Sequence, residues 1–322
     1  MTDYKLAIGS WCVGGMSDRY TPYSEAVPLA EQINRVAAVE GVTGIELVYP
    51  FEGLPLAEVK QMVTGAGLEV AGCICGTIIG PPYQHGSLSN ANPKLWATAI
   101  DEAKKNMDAV AKLDGDIAAF WLGQDGFDYP FQVDYRVVWD RLAQALGQLA
   151  DHNPELDIVL EYKPKEPRTH SLIANIGKTL ALCAQVDKPN LGVLIDFGHA
   201  LMGEENVAES VILTDMHHRP MHIHFNDNYA KWDDDMIVGS VHPQETLEFL
   251  LALKQTNYQG WISLDQYPFR EDPVAAGQLS IRNLKALMRM VDQLDLAALA
   301  EAQSTMDAIA SQTIISNLIF GE

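Results

Sequence analysis

Five short segments carry carboxylates and imidazoles in a pattern suited to a divalent cation. They are Glu161-Tyr162-Lys163-Pro164, Asp196-Phe197-Gly198-His199, His222-Ile223-His224-Phe225-Asn226-Asp227, Asp233-Asp234-Asp235, and Asp265 closing Trp261-Ile262-Ser263-Leu264-Asp265. Four of the five follow apolar runs of the kind that form buried parallel strands. A hard cation takes oxygen ligands, and an added imidazole shifts preference toward Mn, Co or Zn over Ca. Glu161, Asp196, His224 and Asp265 come from four successive strand ends and form one four-ligand set. Asp196, His199, Asp233 and Asp235 form a second set beside it, with Asp196 shared. Residues two apart on a strand share a face, so Glu161 pairs with Lys163, and His222 with His224. Taken singly, each residue has a plainer reading. An aspartate at a strand end is usually a helix cap, an aspartate run is usually a solvated turn, His222 is a core residue supporting its neighbour, and Lys163 is a surface charge. The coincidence of four strands delivering ligands at one end favours the metal reading. Lys163, two residues past a ligand, is then placed to donate a hydrogen bond to a substrate oxygen, and Lys165 is the surface residue.

The elements that must position these groups alternate regularly. Strands are expected near 4–10, 43–49, 68–75, 115–122, 156–162, 190–196, 219–225 and 259–265, with helices near 24–40, 55–66, 93–113, 132–152, 172–187, 204–216, 243–256 and 273–294. Asn92-Pro93 starts the third helix, with a polar cap and proline at the first helical position. Such alternation implies parallel βαβ units, and eight of them close a (β/α)8 TIM barrel whose strand ends share one mouth. Residues 1–294 are read as this single barrel and 295–322 as a C-terminal helical extension that covers the barrel or a partner subunit. Cys73-Ile74-Cys75 reads as buried strand; no second close cysteine pair completes a zinc set.

The bulk numbers narrow the partners. The chain has 322 residues, 48% of them apolar, with 22 Lys and Arg against 43 Asp and Glu, a net charge of −21. A surface this acidic repels nucleic acid and anionic membranes. No apolar run reaches the length of a membrane span. Met1-Thr2-Asp3-Tyr4-Lys5 lacks the features of a secretion signal, and four cysteines fit a reduced, cytoplasmic setting.

At the ligand residues the chain resembles the xylose isomerase superfamily, and within it the L-rhamnose isomerase branch. Glu161-Tyr162-Lys163-Pro164 is similar to the family's Glu-Pro-Lys-Pro element after strand five. Asp196 with His199, and His224, stand where rhamnose isomerases carry Asp, His and His. Lys231-Trp232-Asp233-Asp234-Asp235 resembles the family's Lys-Tyr-Asp-x-Asp loop, and Asp265 falls on the strand-eight ligand. Trp121 in Trp121-Leu122-Gly123-Gln124-Asp125-Gly126 is similar to the tryptophan that walls the sugar site. The resemblance spans about 115–265. It implies two divalent ions per chain (Mn2+ or Co2+, with Mg2+ or Zn2+ as alternatives) and aldose–ketose interconversion by hydride shift, with Lys163, Asp233 and His199 as the catalytic groups. Trp11, Trp121, Phe127, His85, His222 and Asn226 are the candidate substrate-binding residues. The family's ring-opening histidine after strand two is replaced by Val48-Tyr49-Pro50, which leaves ring opening to a metal-bound water, to another group such as His85 or Glu52, or to spontaneous opening. Five carboxylates (Glu161, Asp196, Asp233, Asp235, Asp265) against two divalent ions and Lys163 balance, so an uncharged monosaccharide is the expected substrate. A dimer or tetramer is expected. The alternative on the same barrel is a one-metal ketose 3-epimerase or related epimerase using Glu161 and Asp265 as acid and base. An abasic-site endonuclease would need a basic face, and a sugar-binding barrel without catalysis would leave the ligands idle.

Overall fold

The computed structural model describes residues 4–321. Met1, Thr2 and Asp3 of the leader reading, and the final residue of the extension, lie outside them. Eight parallel strands close into one barrel: β1 Lys5–Gly9, β2 Gly44–Tyr49, β3 Glu69–Cys75, β4 Ile117–Trp121, β5 Asp157–Glu161, β6 Leu191–Asp196, β7 Met221–Phe225 and β8 Trp261–Leu264. Each pairs with its neighbours in sequence order, and β8 returns to β1 with Leu6 opposite Ile262. The strands are apolar on both faces because side chains pack inward in layers and outward against helices.

The helices follow the strands: α1 Leu29–Ala37, α2 Leu56–Gly65, α3 Pro93–Lys112, α4 Tyr135–His152, α5 Ile176–Val186, α6 Phe197–Met202, α7 Val207–Met216, α8 Pro243–Gln255 and α9 Pro273–Asp292. The start expected at α3 is there, with Asn92 Oδ1 accepting from Lys94 N at 2.9 Å. Several helices start later than the sequence suggested, α1 and α5 by the most. Pro28 restrains the residue before it and holds α1 back to Leu29. Asn175 caps α5 by accepting from Lys178 N, so the apolar Leu172-Ile173-Ala174 stays outside the helix. The extension forms α10 Leu296–Ser304 and α11 Ala308–Phe320. Leu299 is buried, and Ile314, Ile315 and Leu318 pack on the main core, while Met306, Ile309 and Phe320 stay exposed. No helix among the described residues is long and apolar enough to cross a membrane. Cys73 and Cys75 are buried free thiols, as expected.

The junction of β6 and β7 is tight. A side chain on Gly192 would bring its Cβ to 2.0 Å from the Pro220 carbonyl oxygen, which accepts from Val193 N at 2.9 Å. Gly147, by contrast, lies inside α4 with open space around it. Gly192→Ala is therefore expected to lower unfolding free energy by ~1–3 kcal/mol through overpacking. Gly147→Ala should raise it by about 0.5–1 kcal/mol by removing a helix-interior glycine. Urea unfolding monitored by tryptophan fluorescence reads both, and equal shifts of one sign would contradict this packing.

Candidate metal centre

The carboxyl ends of β5 to β8 converge. Glu161 ends β5, Asp196 ends β6, His224 is the fourth residue of β7, and Asp265 follows β8 directly. One ligand atom from each lies within 4.8 Å of every other. His224 Nδ1 stands 3.0 Å from Asp265 Oδ2 and 3.5 Å from Glu161 Oε1, and it has no hydrogen-bond partner. A buried imidazole nitrogen without a partner, aimed among carboxylates, is the donor set a divalent cation requires.

A second group of Asp196, His199 and Asp233 meets the same distance criterion and shares Asp196 with the first. Asp196 is wholly buried. Its Oδ1 accepts from His199 N at 2.8 Å, capping α6, and its Oδ2 accepts from Asn226 Nδ2 at 2.9 Å. The plain reading of a strand-end aspartate as a helix cap thus holds alongside its place in the cluster. Gly198 is required here, because a Cβ would sit 2.2 Å from Asn226 Oδ1. His199 places Nε2 3.2 Å from Asp233 Oδ2, and Nδ1 3.4 Å from Glu161 Oε1. Lys163 Nζ lies 2.7 Å from Asp233 Oδ2 and 2.5 Å from Glu166 Oε1, with the Trp121 ring centre 5.5 Å away. Asp235 lines the same cavity but stands outside both close groups.

The electrostatics follow from packing like charges where water is scarce. Burial lifts the Asp196 carboxyl to about 7; His199 opposes the lift, and Asp233, Asp265 and Glu161 add to it. Asp235 is pushed well above the carboxylate range by burial and then by Asp233, Asp265 and Asp196. Burial alone would depress His199, but Asp196 and Asp233 overcome it and raise the imidazole to about 9. Burial likewise opposes ionisation of Asp233, and His199 and Lys163 outweigh it, holding that carboxyl well below its usual range. Burial lowers Lys163 less than Asp233 and Glu166 raise it, so its ammonium is held charged.

Glu161, Lys163, Glu166, His199, Asp233, Asp235 and Asp265 line a cavity of about 480 Å³, together with Trp11, Val48, Ile74, Ile79, Trp121, Tyr267 and Phe269. Its size suits a small molecule. Trp11 Nε1 donates to Asp265 Oδ1 at 2.6 Å. A larger cavity of about 800 Å³ adjoins it, sharing Asp233, Asp235, Tyr267 and Phe269. Glu161, His199 and Asp265 line only the smaller cavity, and Asp196 and His224 are buried beside them.

Four of the candidate substrate-binding residues lie elsewhere. His222 is wholly buried beneath the cluster, with Nε2 2.6 Å from Glu46 Oε1. Asn226 is also buried and orients Asp196 instead of facing the cavity. His85 and Phe127 line a separate cavity of about 550 Å³, where the Phe127 ring stacks on His170. Glu52, the other substitute for ring opening, accepts from Leu29 N at the start of α1. The residues missed include Glu46, Glu166, Tyr267 and Phe269. Glu46 gave one signal, a carboxylate in the apolar strand Gly44-Ile45-Glu46-Leu47-Val48-Tyr49. The aromatic pair sits on the loop after β8, whose path the sequence does not reveal.

Comparison with known proteins fits this geometry. The family model "Xylose isomerase-like TIM barrel" matches residues 34–289. The chain belongs to this family. The xylose isomerase of Thermus thermophilus is 26% identical over 292 residues, covering 84% of this chain and 74% of that protein. Among solved structures, an L-ribulose 3-epimerase superposes with a TM-score of 0.71 at 16% identity, covering 91% of this chain and 98% of that one. A D-tagatose 3-epimerase-like protein gives 0.70 at 18% identity, covering 90% and 98%. At such identities the two solved structures establish the shared barrel.

Metal uptake should release protons. His199 must become neutral and Asp196 ionised to act as ligands, and both are held protonated or partly so near neutrality by their raised pKa values. Affinity for Mn2+ is therefore expected to rise from pH 6 to pH 8. Calorimetry in buffers of different ionisation enthalpy should show net proton release, and pH-independent affinity would contradict the assignment.

Proposed function

We propose that the chain is a metal-dependent sugar isomerase that interconverts an aldose and a ketose of an uncharged monosaccharide. The observation that carries this reading is the second ligand group. Asp196, His199 and Asp233 adjoin the first set through a shared aspartate, with Lys163 bound to Asp233 at the cavity wall. The similarity to a xylose isomerase along most of the chain supports it. Two divalent ions per chain follow, one held by Glu161, Asp196, His224 and Asp265, the other by Asp196, His199 and Asp233 with Asp235 nearby. Mn2+ or Co2+ suits the mixed oxygen and imidazole donors. Ions bound there would polarise the sugar's C1 and C2 oxygens as Lewis acids.

The chain's own residues supply the rest. Trp11 and Trp121 wall the cavity and give the sugar apolar faces. Lys163 is charged and sits where its ammonium can donate to the oxygen on which negative charge develops. In the step itself the C2 hydrogen passes to C1 with its electron pair, C2 becomes the carbonyl carbon, and the C2 hydroxyl proton ends on the C1 oxygen. Glu161, Glu166, Asp233, Asp235 and Asp265 line the cavity with Asp196 buried beside them, against one lysine, so two divalent ions would leave it without the excess positive charge that an anionic substrate needs. The exposed Met306, Ile309 and Phe320 on and beside α11 support self-association into a dimer or tetramer.

A ketose 3-epimerase is the second reading. Glu161 and Asp265 both approach His224 Nδ1 within the first ligand group, and the superposable solved structures include an L-ribulose 3-epimerase and a D-psicose 3-epimerase. Two carboxylates beside one ion suffice for moving a carbon-bound proton.

Isotope transfer separates the two. An aldose deuterated at C2 should give ketose labelled at C1 in ordinary water, with a panel of free pentoses and hexoses as substrates and Mn2+ or Co2+ present. Loss of the label, or solvent exchange at C3, would favour proton transfer. Lys163→Met should leave metal content intact and lower turnover by about 10²–10³. A variant within twofold of wild type would place Lys163 outside the chemistry.

A further inference from the structure

One fully buried acid of the barrel interior lies outside both ligand sets. Glu46 is the third residue of β2 and has no exposed surface. It reaches across the barrel interior to β7, where His222 and His224 share a face. Its Oε1 lies 2.6 Å from His222 Nε2, and its Oε2 lies 3.1 Å from His224 Nε2. An ionised carboxylate only accepts, so both imidazoles must carry their protons on Nε2. The Nδ1 of His224 is then the atom that faces Glu161 and Asp265, and it has no hydrogen-bond partner.

We propose that Glu46 is the positioning residue of the metal centre: it fixes the ring and tautomer of His224 so that Nδ1 meets the cation. His222 occupies the other oxygen and keeps the carboxylate from turning. The proposal rests on the metal-centre reading above. A ligating imidazole commonly donates its second nitrogen to such a carboxylate, which both orients the ring and strengthens it as a ligand. The three residues have ligand atoms close enough to be considered a cation site themselves. The 2.6 Å separation of Glu46 Oε1 and His222 Nε2 argues against that. Tetrahedral ligands at about 2.1 Å from one ion would stand roughly 3.4 Å apart. The separation is that of a hydrogen bond.

The test uses the full chain, 15N-labelled at histidine and loaded with 113Cd2+. A one-bond cadmium coupling at His224 Nδ1, with the proton on Nε2, is the expected result. Glu46→Gln should lower Cd2+ affinity by about 10- to 100-fold with the circular dichroism spectrum unchanged. Whichever way the amide turns, the charge that strengthens His224 as a ligand is gone. Coupling through Nε2, or a variant affinity within twofold of wild type, would overturn the role of Glu46 while leaving the metal centre standing. A wild-type chain that takes up no Cd2+ would overturn both. If Glu46→Gln fails to fold, the coupling in the wild-type chain decides.

Discussion

The site depends on the repulsion among carboxylates gathered at the top of one barrel. Glu161, Glu166, Asp233, Asp235 and Asp265 line a cavity whose one ammonium is Lys163, and Asp196 is buried against His199 and Asp233 beside it. Burial weakens the screening that would let such charges coexist. Burial first and the neighbouring carboxylates second raise Asp196 and Asp235, and the carboxylates Asp196 and Asp233 keep His199 as an imidazolium, so the chain alone holds protons here. Divalent cations would relieve the repulsion in the same places and displace those protons. The partnerless Nδ1 atoms of His199 and His224 mark where they would enter.

The barrel makes this concentration of charge tolerable. Parallel strands with continuous apolar faces supply a rigid frame, and the ligands hang from consecutive strand ends, so no flexible segment has to bring the first set together. The second set is built differently. Asp233 and Asp235 lie on the loop after β7, and Asp233 is held by His199 and Lys163. Its geometry is thus tied to the first set through α6, whose cap is Asp196 itself. One aspartate serves as strand end, helix cap and member of both groups.

Much of this was legible in the sequence because it repeats with a regular period. Apolar runs followed by helical stretches give eight units, and a ligand at each of four successive strand ends gives the cluster. What was not legible lies where the period carries no information. Glu46 sits in mid-strand, and its role depends on β7 facing it across the barrel. His85 and Phe127 lie on loops whose course is set by tertiary packing, and that course leads them to a neighbouring cavity. His222 shares the face of His224 as expected, yet one step lower on the strand turns it from the cavity to the barrel interior.

The proposed function requires two cations, held by ligand groups that share Asp196. Anomalous diffraction from crystals grown with Mn2+, recorded at the manganese edge, tests it directly. The account predicts two peaks per chain, one among Glu161, Asp196, His224 and Asp265 and one beside His199 and Asp233. A single peak at full occupancy in the first set, with His199 and Asp233 still paired to each other, would contradict it.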